Sequence, residues 1–276
     1  MTLDAKREAL LAAIRPLQSC AVAFSGGVDS AVVAKAAALA LGERAVAVTG
    51  TSASLAAGEL EAATELANLI GIRHIVIGTE ELTSTDYVRN APDRCYHCKT
   101  ELYTQLERLL PTLGVQAMVN GANADDLGDY RPGMQAAAEH RIHSPLAECG
   151  ITKADVRELA AAWRLPVWDK PATPCLSSRI AYGESVTPER LAMIDGAEQY
   201  LRRQGLTNLR VRYHRGDLAR IEVPVSELPR LCDAALRAKI SAELRRLGFK
   251  FITLDLEGFR SGSLNQLVGI GSKDER

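Results

Sequence analysis

Five apolar residues, Cys20 to Phe24, run straight into Ser25-Gly26-Gly27-Val28-Asp29-Ser30, and an alanine-rich stretch then continues to about Leu41. An apolar run, paired glycines and an Asp-Ser that opens a helical segment specify a strand, a tight loop and a helix. The two glycines lack the Cβ atoms that would hold a backbone away from a phosphate. Successive N–H groups then line a concave nest, to which the helix adds the partial positive charge of its N-terminus. Asp29 or Ser30 is placed to cap that helix. The Gly-Lys-Ser/Thr of a Walker A loop is missing, so this is a phosphate cradle of another kind. The competing reading is an ordinary glycine-containing turn with a serine cap. It leaves the match of six adjacent residues, in type and order, to chance.

At 276 residues two domains are the natural division. Hydrophobic content of 47% with only 5% aromatic residues points to a helix-rich core packed with alanine. A formal charge of -1 gives no global pull toward nucleic acid, so a nucleic-acid partner is not expected. No run reaches the ~18 apolar residues that span a bilayer, and the start of the chain lacks a signal-peptide pattern. The expectation is a cytoplasmic protein with no membrane partner. Its six cysteines then read as ligands, reactive thiols or core residues rather than disulfides.

Apolar strands alternate with helical segments through the first half: helix 3–16, strand 20–24, strand 44–49, helix 56–70, strand 72–77, helices within 83–109 and strand 115–120. This predicts an α/β fold with a doubly wound parallel sheet covered on both faces. Ligands then belong beyond the carboxyl ends of the strands, where Ser25–Ser30, Thr49–Ser54 and Asn120–Asp126 would gather. Helix 152–163 opens on Thr152-Lys153-Ala154-Asp155, close to a capping box. Pro166, Pro171 and Pro174 then punctuate an extended segment that ends in Pro174-Cys175-Leu176-Ser177-Ser178-Arg179. Beyond it come helix 187–204, a hairpin 208–223 turning at Arg215-Gly216-Asp217, helices within 226–248 and strand 250–255. The expected division is 1–170 and 171–276, the second part being a smaller C-terminal α+β domain. The Gly- and Ser-rich tail from Gly258 is expected to be partly mobile.

Cys95 and Cys98 in Arg94-Cys95-Tyr96-His97-Cys98-Lys99 lie three residues apart at a helix start. That spacing lets both face one ion or one edge of a cluster, and the flanking cations favour thiolate. One Cys-x-x-Cys alone is weak support for zinc, which takes four ligands in structural sites. His97 suits a neighbouring contact better than ligation. Cys175, in a polar loop bounded by proline, is the candidate third partner. Three thiolates would hold a cubane cluster with one iron left free; zinc and core packing remain the alternatives. Cys20, Cys149 and Cys232 read as small hydrophobes, and Trp163 and Trp168 as packing residues. His74, His140, His143 and His214 form no catalytic pattern.

The loop at 25–30 resembles the pyrophosphate (PP) loop of the Rossmann-like ATP pyrophosphatases. Together with RCYHCK at 94–99, NGANADDLGDYRPG at 120–133 and PCLSSRI at 174–180, the chain resembles the LarE family. These are ATP-dependent sulfur transferases that build the nickel-pincer nucleotide cofactor of lactate racemase. The likeness extends to the hairpin LRVRYHRGDLARIEV at 209–223.

The resemblance implies ATP and Mg²⁺, and a pyridinium mononucleotide whose two carboxylates become thiocarboxylates. Ser25, Gly26, Gly27, Val28, Asp29 and Ser30 would hold the pyrophosphate, with Asp29 and Ser30 acting in adenylation and Thr49 beside the nucleotide. Asn123, Asp125 and Asp126 would reach Mg²⁺ or ribose, with turn capping as the alternative. Arg179, Arg210 and Arg212 would form a fork for the substrate phosphate, against an exposed basic strand face as the alternative. Glu222 would bind a metal. One branch of the family takes sulfur from the cysteine matching Cys175, which ends as dehydroalanine. Another holds a [4Fe-4S] cluster on three cysteines, with sulfide or another sulfur source loading the free iron. With Cys95, Cys98 and Cys175 all present, this chain looks like the cluster branch. A homo-oligomer is expected by resemblance alone.

The rival enzyme is a tRNA thiolation enzyme with the same loop and three cluster cysteines. It should add a basic surface or further zinc-binding or RNA-binding modules. An amidating synthetase of the NAD or GMP type would not need the three thiols. An adenine-nucleotide sensor would bind ATP without forming AMP and pyrophosphate.

Overall fold

The computed structural model describes residues 1–128, 132–260 and 264. Part of the tail after Gly258 and the middle of the Asn120–Gly133 motif thus lie outside the described residues. In chain order the elements are α1 (Leu3–Ile14), β1 (Cys20–Ala23), α2 (Val28–Leu41), β2 (Ala45–Thr51), α3 (Glu59–Ile70), β3 (Arg73–Gly78), α4 (Thr85–Val88), α5 (Arg94–Leu113), β4 (Ala117–Val119), α6 (Pro132–Glu139), α7 (Pro145–Glu148), α8 (Lys153–Ala162), α9 (Pro188–Arg203), β5 (Arg210–His214), β6 (Leu218–Glu222), α10 (Leu228–Leu231), α11 (Ala234–Arg246) and β7 (Phe251–Leu254). They form two compact units. One comprises Met1–Ser52, Gly58–Glu81 and Cys95–Thr173; the other comprises Ala53–Ala57, Leu82–Arg94 and Pro174–Arg276.

The first unit is an α/β layer built on a parallel sheet of order β3-β2-β1-β4. Period-two alternation sends successive β1 residues to opposite faces. Cys20 and Val22, with Phe24 just beyond the strand, join one core with Leu10 and Ile14 of α1, the alanines of α2, Leu66 and Ile70 of α3, and Val156 and Leu159 of α8. Ala21 joins the opposite core with Tyr103 and Leu106 of α5 and Ala136 and Ala137 of α6. Both faces are therefore covered, which is what makes every β1 side chain apolar. Helix α2 buries nine of its fourteen residues, and its small alanines let it lie close to the sheet. Helix α8 starts with the complete capping box Thr152/Asp155.

The strand order also locates a crevice. From β1 the chain steps outward through β2 and β3, then returns to place β4 on the other side of β1. The loops after β1 and β4 consequently leave in opposite directions, the arrangement that opens a ligand cleft at the carboxyl ends of a doubly wound sheet.

The second unit holds a three-stranded sheet of order β5-β6-β7. β5 and β6 form the expected hairpin, with Gly216 and Asp217 at positive φ in the turn. β6 and β7 run parallel. Leu191, Ile194 and Leu201 of α9 are buried, as are Val211, Tyr213, Ala219 and Ile221 of the hairpin. Two sequence expectations fail. Trp168 is 48% exposed rather than a packing residue, and Cys232 is an exposed thiol at the end of the single-turn helix α10, too short to bury an apolar face.

Candidate active site

The loop after β1 is made largely of backbone. Gly26 sits at φ +71, and a Cβ there would meet Ala63 at 3.1 Å. Gly27, not Asp29 or Ser30, is the N-cap of α2, and no side chain caps the first turn. The expected cap fails because Ser30 turns its hydroxyl back onto the loop: Oγ donates to Gly27 O at 3.0 Å and accepts from Ser25 N at 3.3 Å. With that proton committed, the 3.2 Å contact between the two hydroxyls has Ser25 as donor. The serines thus lock the loop's shape and leave the first N–H groups of α2 directed outward from the helix end.

The loop after β4 closes against it. A Cβ on Gly121 would stand 2.7 Å from Ser30 N and 3.0 Å from Asp29 C, so only glycine allows this backbone approach. Asn123, nearly fully buried, donates from Nδ2 to Asp29 Oδ1 at 3.1 Å. Its own Oδ1 accepts from Asp125 N at 3.0 Å, and its N–H donates to Asp126 Oδ2 at 3.0 Å. Asp126 therefore holds the turn, as the capping alternative has it. Asp125 accepts from Lys153 N at 2.8 Å. Of the expected set, Asn123 bonds Asp29 directly and Asp125 is linked to it through Lys153.

Lys153 was missed by sequence reasoning. At the first position of α8 it is held at both ends, its N–H by Asp125 and its Nζ by Asp29 Oδ2 at 2.5 Å. The pair is partly solvated and contributes at most about 1 kcal/mol, so its effect is orientation of Asp29 rather than stability. The available signal was the capping box itself, which puts residue 153 at the mouth of the cleft if residues 123–125 are there too. Thr49 is 3% exposed. Its hydroxyl donates to Phe24 O at 2.7 Å, so at 2.8 Å His74 Nε2 must be the donor to it. Thr49 ties β2 to the end of β1 with that hydroxyl. Burial lowers the His74 pKa, in keeping with a neutral ring in this pairing.

In the second unit Cys175 precedes a short 3-10 turn, Leu176–Arg179. Arg179 is fully buried with Glu198, Nε to Oε1 at 3.0 Å. Its Nη1 donates to Cys175 O at 3.0 Å and also to Pro174 O. Arg212 reaches Glu222 at 2.9 Å and Ser178 O at 3.0 Å. Glu222, fully buried, accepts from Arg212 and, at 3.0 Å, from Arg220. Arg179, Arg212 and Glu222 are thus committed to internal ion pairs, neither an open fork nor an exposed basic face. A buried ion pair is kept satisfied because stranding one charge costs several kcal/mol. Arg210 is half-buried over the Phe259 ring, 5.1 Å to the centroid. Burial first, then the neighbouring Arg179, lowers its pKa to about 10.

The cysteines divide by exposure. Cys95 is exposed and Cys98 partly so, three residues apart on α5 and hence on one helix face. Cys175 is partly exposed. Cys20 is buried and burial pushes its thiol up to about 12, an inert core residue. Burial and then Glu148 raise Cys149. His97 packs edge-on to Tyr96. Soft, accessible thiols at i and i+3 suit an iron or zinc edge. Among the described residues, no group of three or more His, Cys, Asp or Glu side chains is placed to hold a metal ion. No helix among them is long and apolar enough to cross a membrane.

Comparison with known proteins places this geometry in a lineage. The asparagine synthase family model matches residues 5–124, the stretch that carries β1 to β4, the loop after β1 and the start of the loop after β4. An uncharacterized protein of Synechocystis sp. is 45% identical over 266 residues, 96% of this chain and 99% of that protein. A tRNA-specific 2-thiouridylase of Xanthobacter autotrophicus is 31% identical over 54% of this chain and 48% of its own length. Pyridinium-3,5-bisthiocarboxylic acid mononucleotide synthase of Lactiplantibacillus plantarum is 38% identical over 270 residues, 97% of this chain and 96% of that synthase. The match spans both the phosphate cradle and the Cys175 turn. The chain is an ATP-dependent enzyme and belongs to the family of the pyridinium-3,5-bisthiocarboxylic acid mononucleotide synthases.

Proposed function

We propose that the chain is the ATP-dependent sulfur transferase that turns the two carboxylates of pyridinium-3,5-biscarboxylic acid mononucleotide into thiocarboxylates for the nickel-pincer nucleotide. The observation that carries this reading is 38% identity along nearly the whole chain to a pyridinium-3,5-bisthiocarboxylic acid mononucleotide synthase, joined to a glycine-built cradle whose helix end is left uncapped. ATP would enter with Mg²⁺, Asp29 and Asp125 supplying oxygen ligands of the hard type that Mg²⁺ takes. A substrate carboxylate oxygen attacks the α-phosphorus, and the bond to the β-phosphate oxygen breaks. Pyrophosphate leaves into the Gly26–Ser30 N–H groups with Lys153 alongside. The carbonyl of the acyl-adenylate is then open to a sulfur nucleophile, and AMP departs with the bonding electrons.

Residues 1–170 would form the adenylating domain. Residues 171–276 would bind the substrate and make the contacts of a homo-oligomer, Arg210 facing the substrate phosphate. For the sulfur, Cys95, Cys98 and Cys175 would hold a [4Fe-4S] cluster, which when bound supplies a sulfide drawn from an external sulfur source. In the second reading Cys175 Sγ itself attacks. Loss of its α-proton and cleavage of Cβ–Sγ then leave a thiocarboxylate and dehydroalanine.

The function is tested by incubating the protein with Mg²⁺-ATP, sulfide and the pyridinium mononucleotide. AMP and pyrophosphate should appear in equal amounts and only with that substrate. ATP binding without either product would return the sensor reading. Iron and acid-labile sulfide on anaerobically purified protein decide the route. About four of each per chain, lost in Cys175→Ala, mark the cluster. Little iron, with Cys175 becoming dehydroalanine, marks the sacrificial route.

A further inference from the structure

The turn that carries Cys175 is fastened from two sides within the second unit. From its own side, Arg179 Nη1 holds Cys175 O, to which Ser178 Oγ also donates at 2.8 Å. Leu176 N donates to Ser54 O at 2.8 Å. From the other side come three residues of the 82–94 segment. Tyr87 Oη lies 2.6 Å from Ser177 Oγ. Arg94 Nη1 divides its two protons between Asn90 Oδ1 and Ser177 O, the latter at 2.9 Å. Asn90 Nδ2 in turn donates to Ala181 O at 2.9 Å and Glu184 O at 3.0 Å. Tyr87, Asn90, Arg94 and Ser177 are all buried, and Asn90 holds a left-handed backbone at φ 55.

Burying a guanidinium, an amide and a phenol together is costly unless each is satisfied, and an apolar core would stabilise the unit as well. What such a network adds is a single defined backbone conformation. Here that backbone belongs to the turn that presents a partly exposed thiol. We propose that Arg94, supported by Tyr87 and Asn90, is a positioning residue for Cys175: it fixes the turn from which Sγ projects and so sets that thiol's reactivity. The inference rests on the reading of Cys175 as a sulfur-handling residue.

The test uses the full chain, reduced and freed of iron by a chelator. Iodoacetamide alkylation of Cys175 is followed by peptide mass spectrometry across pH in the parent, Arg94→Met and Tyr87→Phe. Amide exchange of β5 and β6 reports opening of the unit. Arg94→Met should change the Cys175 rate by about fivefold and move its pH midpoint. Tyr87→Phe, which removes one hydroxyl and keeps the packing, should shift both in the same direction by about twofold. Amide exchange should stay at parental rates. With substrate present, thiolated product per AMP should fall about tenfold in Arg94→Met. An unchanged Cys175 rate and midpoint in both variants overturns the proposal. So does a Cys175 rate that rises only in step with amide exchange, since Arg94 would then serve stability alone. If Cys175→Ala keeps full sulfur transfer, the reading of Cys175 itself falls; if it is inactive while Arg94→Met is normal, only the positioning role does.

Discussion

The cradle after β1 and the turn after Pro174 present their chemistry in opposite ways. The cradle is built from backbone: Gly121 lets the loop after β4 meet the start of α2 at a distance no Cβ would permit, Gly26 takes a positive φ close against Ala63, and the two serines lock the loop's shape. The Cys175 turn is built from buried side chains: Arg179 reaches back to the carbonyls of Cys175 and Pro174, and Arg94 reaches Ser177 O from 83 residues away in the chain. A backbone cradle serves a triphosphate, which needs many N–H donors and little specificity. A single thiol needs one fixed direction, and a frame of buried charge supplies it. On the proposed function, the two half-reactions therefore rest on different kinds of residue and can be broken separately.

The largest separation should come from Arg179→Met. Removing it takes from the buried Glu198 carboxylate its fully buried cationic partner, and unfolding measurements should show a loss of about 3–5 kcal/mol. Arg202 and Val211 N still reach that carboxylate, so a loss under 1 kcal/mol would mean they suffice and that the frame does not depend on Arg179. Gly121→Ala should do the reverse. It pushes a methyl group into Ser30 N and should cut substrate-dependent pyrophosphate release about 100-fold with Cys175 alkylation unaltered. An active Gly121→Ala enzyme would show that the two loops need not touch. Lys153→Met should raise the ATP requirement about tenfold with a smaller change in turnover, read as KM against kcat. A fall in kcat with KM unchanged would assign Lys153 to the transition state instead.

The smallest effect sharpens the cradle's support. Asp155 is held down to about 2, first by its bond from Lys6 and then by the Thr152 backbone. A carboxyl depressed in the folded state stabilises above its unfolded pKa near 4. That contribution, ~1–2 kcal/mol, is lost as pH falls from about 4 toward 2. Acid unfolding of the parent should therefore be steeper in that window than in Asp155→Asn. Identical profiles would remove the Lys6–Asp155 pair from the account.

The cradle was legible in the sequence because its signals are local. Gly26, Gly27 and the apolar run name a strand, a loop and a helix from adjacent residues, and the alternation of elements then dictates the sheet. The N-cap escaped because Ser30 had two partners on the loop that local pattern does not rank. Lys153 escaped because its partner, Asp29, is 124 residues away and only the strand order brings them together. In the second unit Arg179 and the pattern Arg210-x-Arg212 suggested a fork for a phosphate, with an exposed basic strand face as the alternative. What decides between an open fork and an internal pair is a carboxylate on another element, Glu198 on α9 for Arg179 and Glu222 on β6 for Arg212. Such long-range pairing carries no periodic signal. Arg94 was read only as a cation flanking the cysteine pair for the same reason.

The most direct measurement of the central claim is the mass of the nucleotide product after incubation with Mg²⁺-ATP, sulfide and pyridinium-3,5-biscarboxylic acid mononucleotide. Replacement of one carboxylate oxygen and then a second by sulfur, with one AMP formed for each, is the predicted result. An unaltered nucleotide under conditions where ATP is cleaved to AMP and pyrophosphate would contradict it.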